Sequence, residues 1–141
     1  MKLKNKLKHE IEVENEDGIK VSFILDPSDM VQIGVISELF AKFDEVSKIK
    51  IEDNLEEIEE ILKTTRLLSK TMLEMKELID LAFGDKITQV AFKNSNSLIL
   101  YNDFFVLLEK ELVAAGIKVQ EYIKERRKER LVNDRKESDT I

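Results

Sequence analysis

Apolar side chains recur along this chain with two different periods, and the change of period divides it. Over residues 11–14 apolar and charged positions alternate, and they alternate again from Ile19 to Phe23 before an apolar end at Ile24 and Leu25. A period of two is strand spacing, which puts Ile11, Val13, Val21 and Phe23 on one face. Asn15-Glu16-Asp17-Gly18 separates the two runs, and Asp-Gly supplies the positive φ that a tight turn needs. The pattern predicts a β-hairpin over 11–25. A lone hairpin is marginal in water, so its apolar face must cover helices or pair with a further strand.

After Leu25 the period becomes helical. Asp26-Pro27-Ser28-Asp29 predicts a helix start, with Asp26 as cap and Pro27 at the first helical position. Met30, Ile33, Ile36, Phe40, Phe43 and Val46 then share a face, and the helix should fade near Ser47. A polar link with a short Ile49/Ile51 alternation follows. The strongest pattern lies over 54–83, thirty residues without Gly or Pro. Ile58, Ile61, Thr65, Leu68, Met72, Met75, Ile79 and Ala82 recur at three-four spacing, which is one stripe of a helix. Such a rod would be roughly 45 Å long at about 1.5 Å per residue. Asn54 with Glu57 fits a capping arrangement, and Gly84 fits the C-terminal stop.

The remainder is shorter in pattern. Residues 87–92 are apolar enough for one or two helical turns, and 93–97 form a polar loop. Residues 98–115 predict a second strongly apolar helix, capped by Asn96 or Ser97 and ended by Gly116. A further helix over 117–132 begins with Val119, Tyr122 and Ile123 and then becomes almost wholly charged. The expected fold is mainly α with a small N-terminal β-hairpin (α+β), built around one long central helix. A basic arm, 1–10, precedes a single domain over 11–132, and 133–141 are expected to be a disordered tail.

Composition narrows what this fold can be for. The chain has 141 residues, enough for one core, with 37% charged residues and a net charge of −6. That balance argues against bulk attraction to nucleic acid. There is no Cys, which removes disulfides and thiolate metal sites and points to a reducing, cytoplasmic setting. No apolar run reaches the roughly 18 residues that span a bilayer, so no membrane role is expected. The arm Met1-Lys2-Leu3-Lys4-Asn5-Lys6-Leu7-Lys8 starts like a signal peptide, but no apolar core region or cleavage site follows.

Chemistry-bearing patterns are scarce. The single His, His9, has no ligand-spaced companions and reads as a solvated side chain. The acidic stretch 44–60 lacks the spacing of a calcium loop, and there is neither a nucleophile turn nor a Gly-rich phosphate cradle. The expectation is a non-enzymatic protein without metal or cofactor. Residues 124–136 carry seven cationic against three anionic side chains, which suits a salt-bridged helix end, an acidic partner helix or, less well, nucleic acid. Leu62, Leu67, Leu73, Leu78 and Leu81 widen the apolar surface of the rod beyond one stripe, leaving surface for a partner. Among these positions Leu67, Met72 and Met75 are the candidate partner-binding residues, since Met adapts to varied surfaces.

One stretch resembles a known family. Glu77-Leu78-Ile79-Asp80-Leu81-Ala82-Phe83-Gly84-Asp85, then Val90-Ala91-Phe92, an Asn/Ser loop, and Asp103-Phe104-Phe105 before a charged terminal helix are similar to the small tail assembly chaperones of long-tailed bacteriophages, especially those of Gram-positive hosts. The resemblance covers residues 72–130. It implies a small helical protein of the host cytoplasm that binds and shields the aggregation-prone tape measure protein during tail assembly, with the tail tube subunit as a further partner. Phe83, Gly84 and Phe92 match the family pattern and would shape the turn that packs the rod against the next helix. Homo-oligomerisation through the same stripes is also expected. The rival readings are a small helical adaptor or regulatory protein that dimerises through its central helix, and a nucleic-acid-associated protein using Lys2 to Lys8 and the basic C-terminal segment.

Overall fold

The computed structural model describes residues 1–48 and 58–139, with side chains described as far as Val132. The elements are β1 (His9–Glu14), β2 (Lys20–Leu25), α1 (Met30–Ser47), α2 (Ile58–Phe83), a π-helical segment (Ile87–Ala91) and α3 (Leu98–Asp139). The architecture is mainly α with a two-stranded antiparallel hairpin, as the two periods predict. The Asn54/Glu57 cap and the Ile49/Ile51 link lie outside the described residues.

The hairpin forms with Ile11 opposite Phe23 and Val13 opposite Val21, which puts the four alternating apolar residues on one face as expected. Gly18 takes φ +77° in the loop. Asn15 holds that loop by accepting from the amides of Asp17 (2.9 Å) and Ile19 (3.0 Å). Its Nδ2 also donates to the Val90 carbonyl at 3.1 Å, which ties the hairpin to the π-helical segment. Ile11, Phe23 and Leu25 are buried in the core, so the hairpin covers helices rather than a third strand.

Helix α1 begins three residues later than the sequence suggests. Asp29 is the cap, accepting from Val31 N (3.0 Å) and Gln32 N (3.2 Å). Asp26 instead closes the preceding turn, accepting from Ser28 N at 3.0 Å and from Asn5 Nδ2 at 2.6 Å. The later start rotates the inner face: Met30 is exposed, and Leu39 joins Ile36 in the core. Lys42 reaches Glu74 at 2.9 Å and Gln32 reaches the Ala82 carbonyl at 3.0 Å, so α1 and α2 lie antiparallel.

Helix α2 has 26 residues, and only its second half is in the core, through Thr71, Met72, Met75 and Ile79. Its first half projects beyond α1 and exposes Ile58, Ile61, Leu62 and Leu67. Gly84 follows with φ +87°, its amide donating to the Asp80 carbonyl, a left-handed C-terminal stop. The π-helical segment is closed by Phe92 N to the Ile87 carbonyl at 2.9 Å. Lys93 and Asn94 then both adopt positive φ and turn the chain into α3.

Helix α3 corrects the sequence reading. It is one helix of 42 residues rather than two, and Gly116 lies inside it. Gly116 does not take the positive φ of a helix stop, and no Pro follows to force one. The backbone of 133–139, expected as a tail, continues the same helix. Tyr101, Phe104, Phe105, Leu108 and Ala115 bury its first part, with Phe104 packed against Phe23, Phe83 and Phe92. After Ala115 every described residue except the half-buried Val119 is exposed.

Candidate partner-binding surface

An apolar concave surface lies between α1 and α3. Helix α1 presents Phe40, Phe43 and Val46, each half-buried, at intervals of three residues. Against them α3 sets Phe105, which stacks on Phe43 with ring centroids 4.2 Å apart and 22° between planes. Phe40 meets the same ring edge-on at 5.4 Å. Three aromatic rings thus make a rigid floor, and their preferred mutual geometry holds it without polar partners.

The groove extends in both directions from Phe105. Towards one end it is lined by Phe40, Glu109, Leu112 and Val113, and towards the other by Val46, Ser47, Leu98, Ile99 and Asn102. Ile99, Val106 and Val113, seven residues apart, are 72%, 61% and 63% exposed and form one wall. From Leu98 to Val113 the surface runs roughly 22 Å at about 1.5 Å per residue, about four turns of a docked helix. Ser47, Asn102 and Glu109 are the polar side chains along it. Chemically it can bury apolar surface; it offers little to a small polar ligand.

The sequence-predicted partner residues are not brought together here. Leu67 is 52% exposed on α2, away from this groove. Met72 and Met75 are 6% and 0% exposed, so they belong to the core and cannot touch a partner in this structure. The physical reason is that α1 lies along the second half of α2, and the stripe read as outward is the one α1 covers. Phe83, Gly84 and Phe92 sit at the turn between α2 and α3, where both rings pack on Phe104 and Phe83 lies 4.7 Å from Phe23.

Sequence reasoning missed several positions that set this geometry. Gln32 accepts from Asp26 N at 2.7 Å and donates to the carbonyls of Ile24 (2.8 Å) and Ala82 (3.0 Å), joining β2, α1 and α2. A lone Gln near a helix start carries no sequence signal for that role. His9 opens β1 instead of lying in a free arm, and its Nε2 lies 3.8 Å from Glu111 of α3. Among the described residues no three His, Asp or Glu side chains gather as a metal site would require. No described helix is long and apolar enough to cross a membrane.

Compared with known proteins, the chain matches no family model, and no curated protein or solved structure shows significant similarity to it.

Proposed function

We propose that this protein is a non-enzymatic holder of another polypeptide, which seats an amphipathic helix of its partner in the groove between α1 and α3. The observation that carries the reading is the groove itself: an exposed apolar wall of Ile99, Val106 and Val113 over a floor of Phe40, Phe43 and Phe105. Apolar patches of this extent on a small domain mark protein contacts, and a helix laid in a groove is the simplest way to fill one. The family resemblance of 72–130 names the partner: the tape measure protein of a long-tailed phage, shielded in the host cytoplasm while tail tube subunits assemble.

Val106→Asp with Val113→Asp tests the groove, because both side chains are exposed and neither supports the fold. Co-expression with a tape measure protein should raise that protein's soluble fraction, and the double variant should remove most of the rise while keeping its own melting temperature. No rise with the unaltered chain, when both proteins are well expressed, argues against the tape measure assignment. A rise that survives the double substitution places binding elsewhere.

Exposure of Ile61, Leu62, Leu67 and Leu73 favours a second reading, an adaptor that associates through α2. A partner that still binds the groove variant but not Leu62→Asp with Leu67→Asp would prefer it.

A further inference from the structure

Helix α3 runs antiparallel to α1, with Val46 beside Leu98 and Ile99, and Phe40 beside Leu112 and Val113. It then continues unbroken beyond the body, and residues 120–132 are all exposed. An unbroken helix keeps its phase. At about 3.6 residues per turn, eighteen residues make five turns and return a side chain to the same direction. The groove side of α3, marked by Ile99, Val106 and Glu109, is therefore continued by Ile117, Lys124 and Arg127. Glu111, which meets His9 on the hairpin side, is continued by Glu129.

The extension sorts its charges between these two directions. Lys124, Arg127 and Lys128 fall on the groove side, and Glu121, Glu125 and Glu129 form a ladder on the hairpin side. Every pair of charged residues four apart over 117–132 has like signs: Glu121 with Glu125, Lys124 with Lys128, Glu125 with Glu129, and Arg126 with Arg130. Like charges at that spacing destabilise a helix, and a salt-bridged solvated end would alternate them. Opposite charges stand three apart, where the two faces meet. Among the described residues of the extension only Arg126 forms an ion pair, with Glu129 at 3.3 Å. Cations near a helix C-terminus are ordinary, but the helix dipole is axial and does not choose a side for them.

We infer that the partner helix seated in the groove carries an acidic stretch that meets Lys124, Arg127 and Lys128. This rests on the groove reading above and adds the partner's charge and direction. The partner's apolar face covers α3 from Leu98 to Ile117, about 28 Å at ~1.5 Å per residue, and its acids begin about two turns further on. Acidic side chains suit a helix N-terminus, so the acidic stretch precedes the apolar one in the partner's sequence. The partner then runs antiparallel to α3, which also opposes the two dipoles. A nucleic acid or an anionic membrane fits the extension less well. Either would come within about 10 Å, a Debye length, of the Glu121, Glu125 and Glu129 ladder on the same helix. A helix continuing along the groove approaches the cationic face alone.

Two labelled synthetic peptides of about thirty residues test this by fluorescence anisotropy with the purified full chain. One has an acidic stretch followed by a leucine heptad face, and the other has Gln in place of every acid. The acidic peptide should bind about tenfold or more tightly than the Gln peptide, and lose that advantage as salt rises. Lys124→Glu with Arg127→Glu and Lys128→Glu should remove the advantage and leave the affinity for the Gln peptide unchanged. Circular dichroism checks that the variant remains helical, and the salt dependence of the unaltered chain stands without it. Val106→Asp with Val113→Asp should release both peptides. Equal affinity for the two peptides, or an advantage that survives charge reversal, overturns the inference and leaves the groove reading standing. So does a preference for the acidic peptide with its two stretches in reverse order, or tighter binding of a DNA duplex or of phosphatidylserine vesicles. Failure of both peptides to bind the unaltered chain overturns the groove reading and this inference with it.

Discussion

Tyr101 shows how one side chain can be favourable as a ring and unfavourable as a polar group. Its ring is fully buried and packs on Phe92 with centroids 4.7 Å apart. Its hydroxyl, buried with it, has no hydrogen-bond partner among the described residues. Burial, reinforced by the Asp80 carboxylate, pushes the hydroxyl pKa up to about 12. An unpaired buried hydroxyl costs about 1–3 kcal/mol, so Tyr101→Phe should leave the melting temperature at neutral pH unchanged or raise it. The sign with pH follows from the raised value. The unfolded chain loses this proton near pH 10.0 and the folded chain near 12. Stability from the protonated form is complete below the lower value and falls as pH rises through the window between them. Unfolding curves at neutral pH and at about pH 11 should show that part of the loss in the unaltered chain and not in Tyr101→Phe. An equal alkaline loss in both would place the titration elsewhere. None of this was legible in the sequence, where Tyr101 is one of several apolar positions at helical spacing.

At the scale of elements, glycine separates what a residue permits from what it compels. Gly84 and Gly116 both follow strongly apolar helical runs, and both read as stops. Gly84 is one, because the chain there takes φ +87° and turns into the π-helical segment. Gly116 is not: its neighbours continue the helix, and a Cβ added there would meet nothing within 4 Å. Gly116→Ala should therefore stabilise the protein by about 0.5–1 kcal/mol, read as a rise in melting temperature. Destabilisation of similar size would mean that Gly116 terminates a helix after all. The position of the α1 cap has a comparable origin. Asp26 and Asp29 both suit a cap, but Gln32 accepts the Asp26 amide and holds it to the strand end, which leaves Asp29 to start the helix.

The whole molecule divides α2 into a packed half and an exposed half, and that division reassigns its apolar residues. Met75, on the stripe that α1 covers, is fully buried, and Leu67, beside that stripe in the projecting half, is half exposed. Met75→Ala should cost about 2–5 kcal/mol in a denaturant titration, the usual range for truncating a core side chain. Leu67→Ala should cost a small fraction of that. Comparable losses at the two positions would mean that α1 does not lie where the Lys42–Glu74 ion pair places it. Helix α1 is divided too, across its width: Phe40 and Phe43 serve as core towards Phe105 and as surface towards Val106 and Val113, which makes the groove.

Local periodicity was enough to determine the hairpin, its inward face, the helical class and the stop at Gly84, because each rests on contacts or dihedral preferences within a few neighbouring residues. Only the tertiary structure decided which apolar stripe is core and which is surface, that α3 runs through Gly116, and that the first half of α2 projects past α1. Those outcomes depend on which elements lie against one another. A hydrophobic stripe states that a face prefers to leave water, and the packed neighbour alone states whether it has done so.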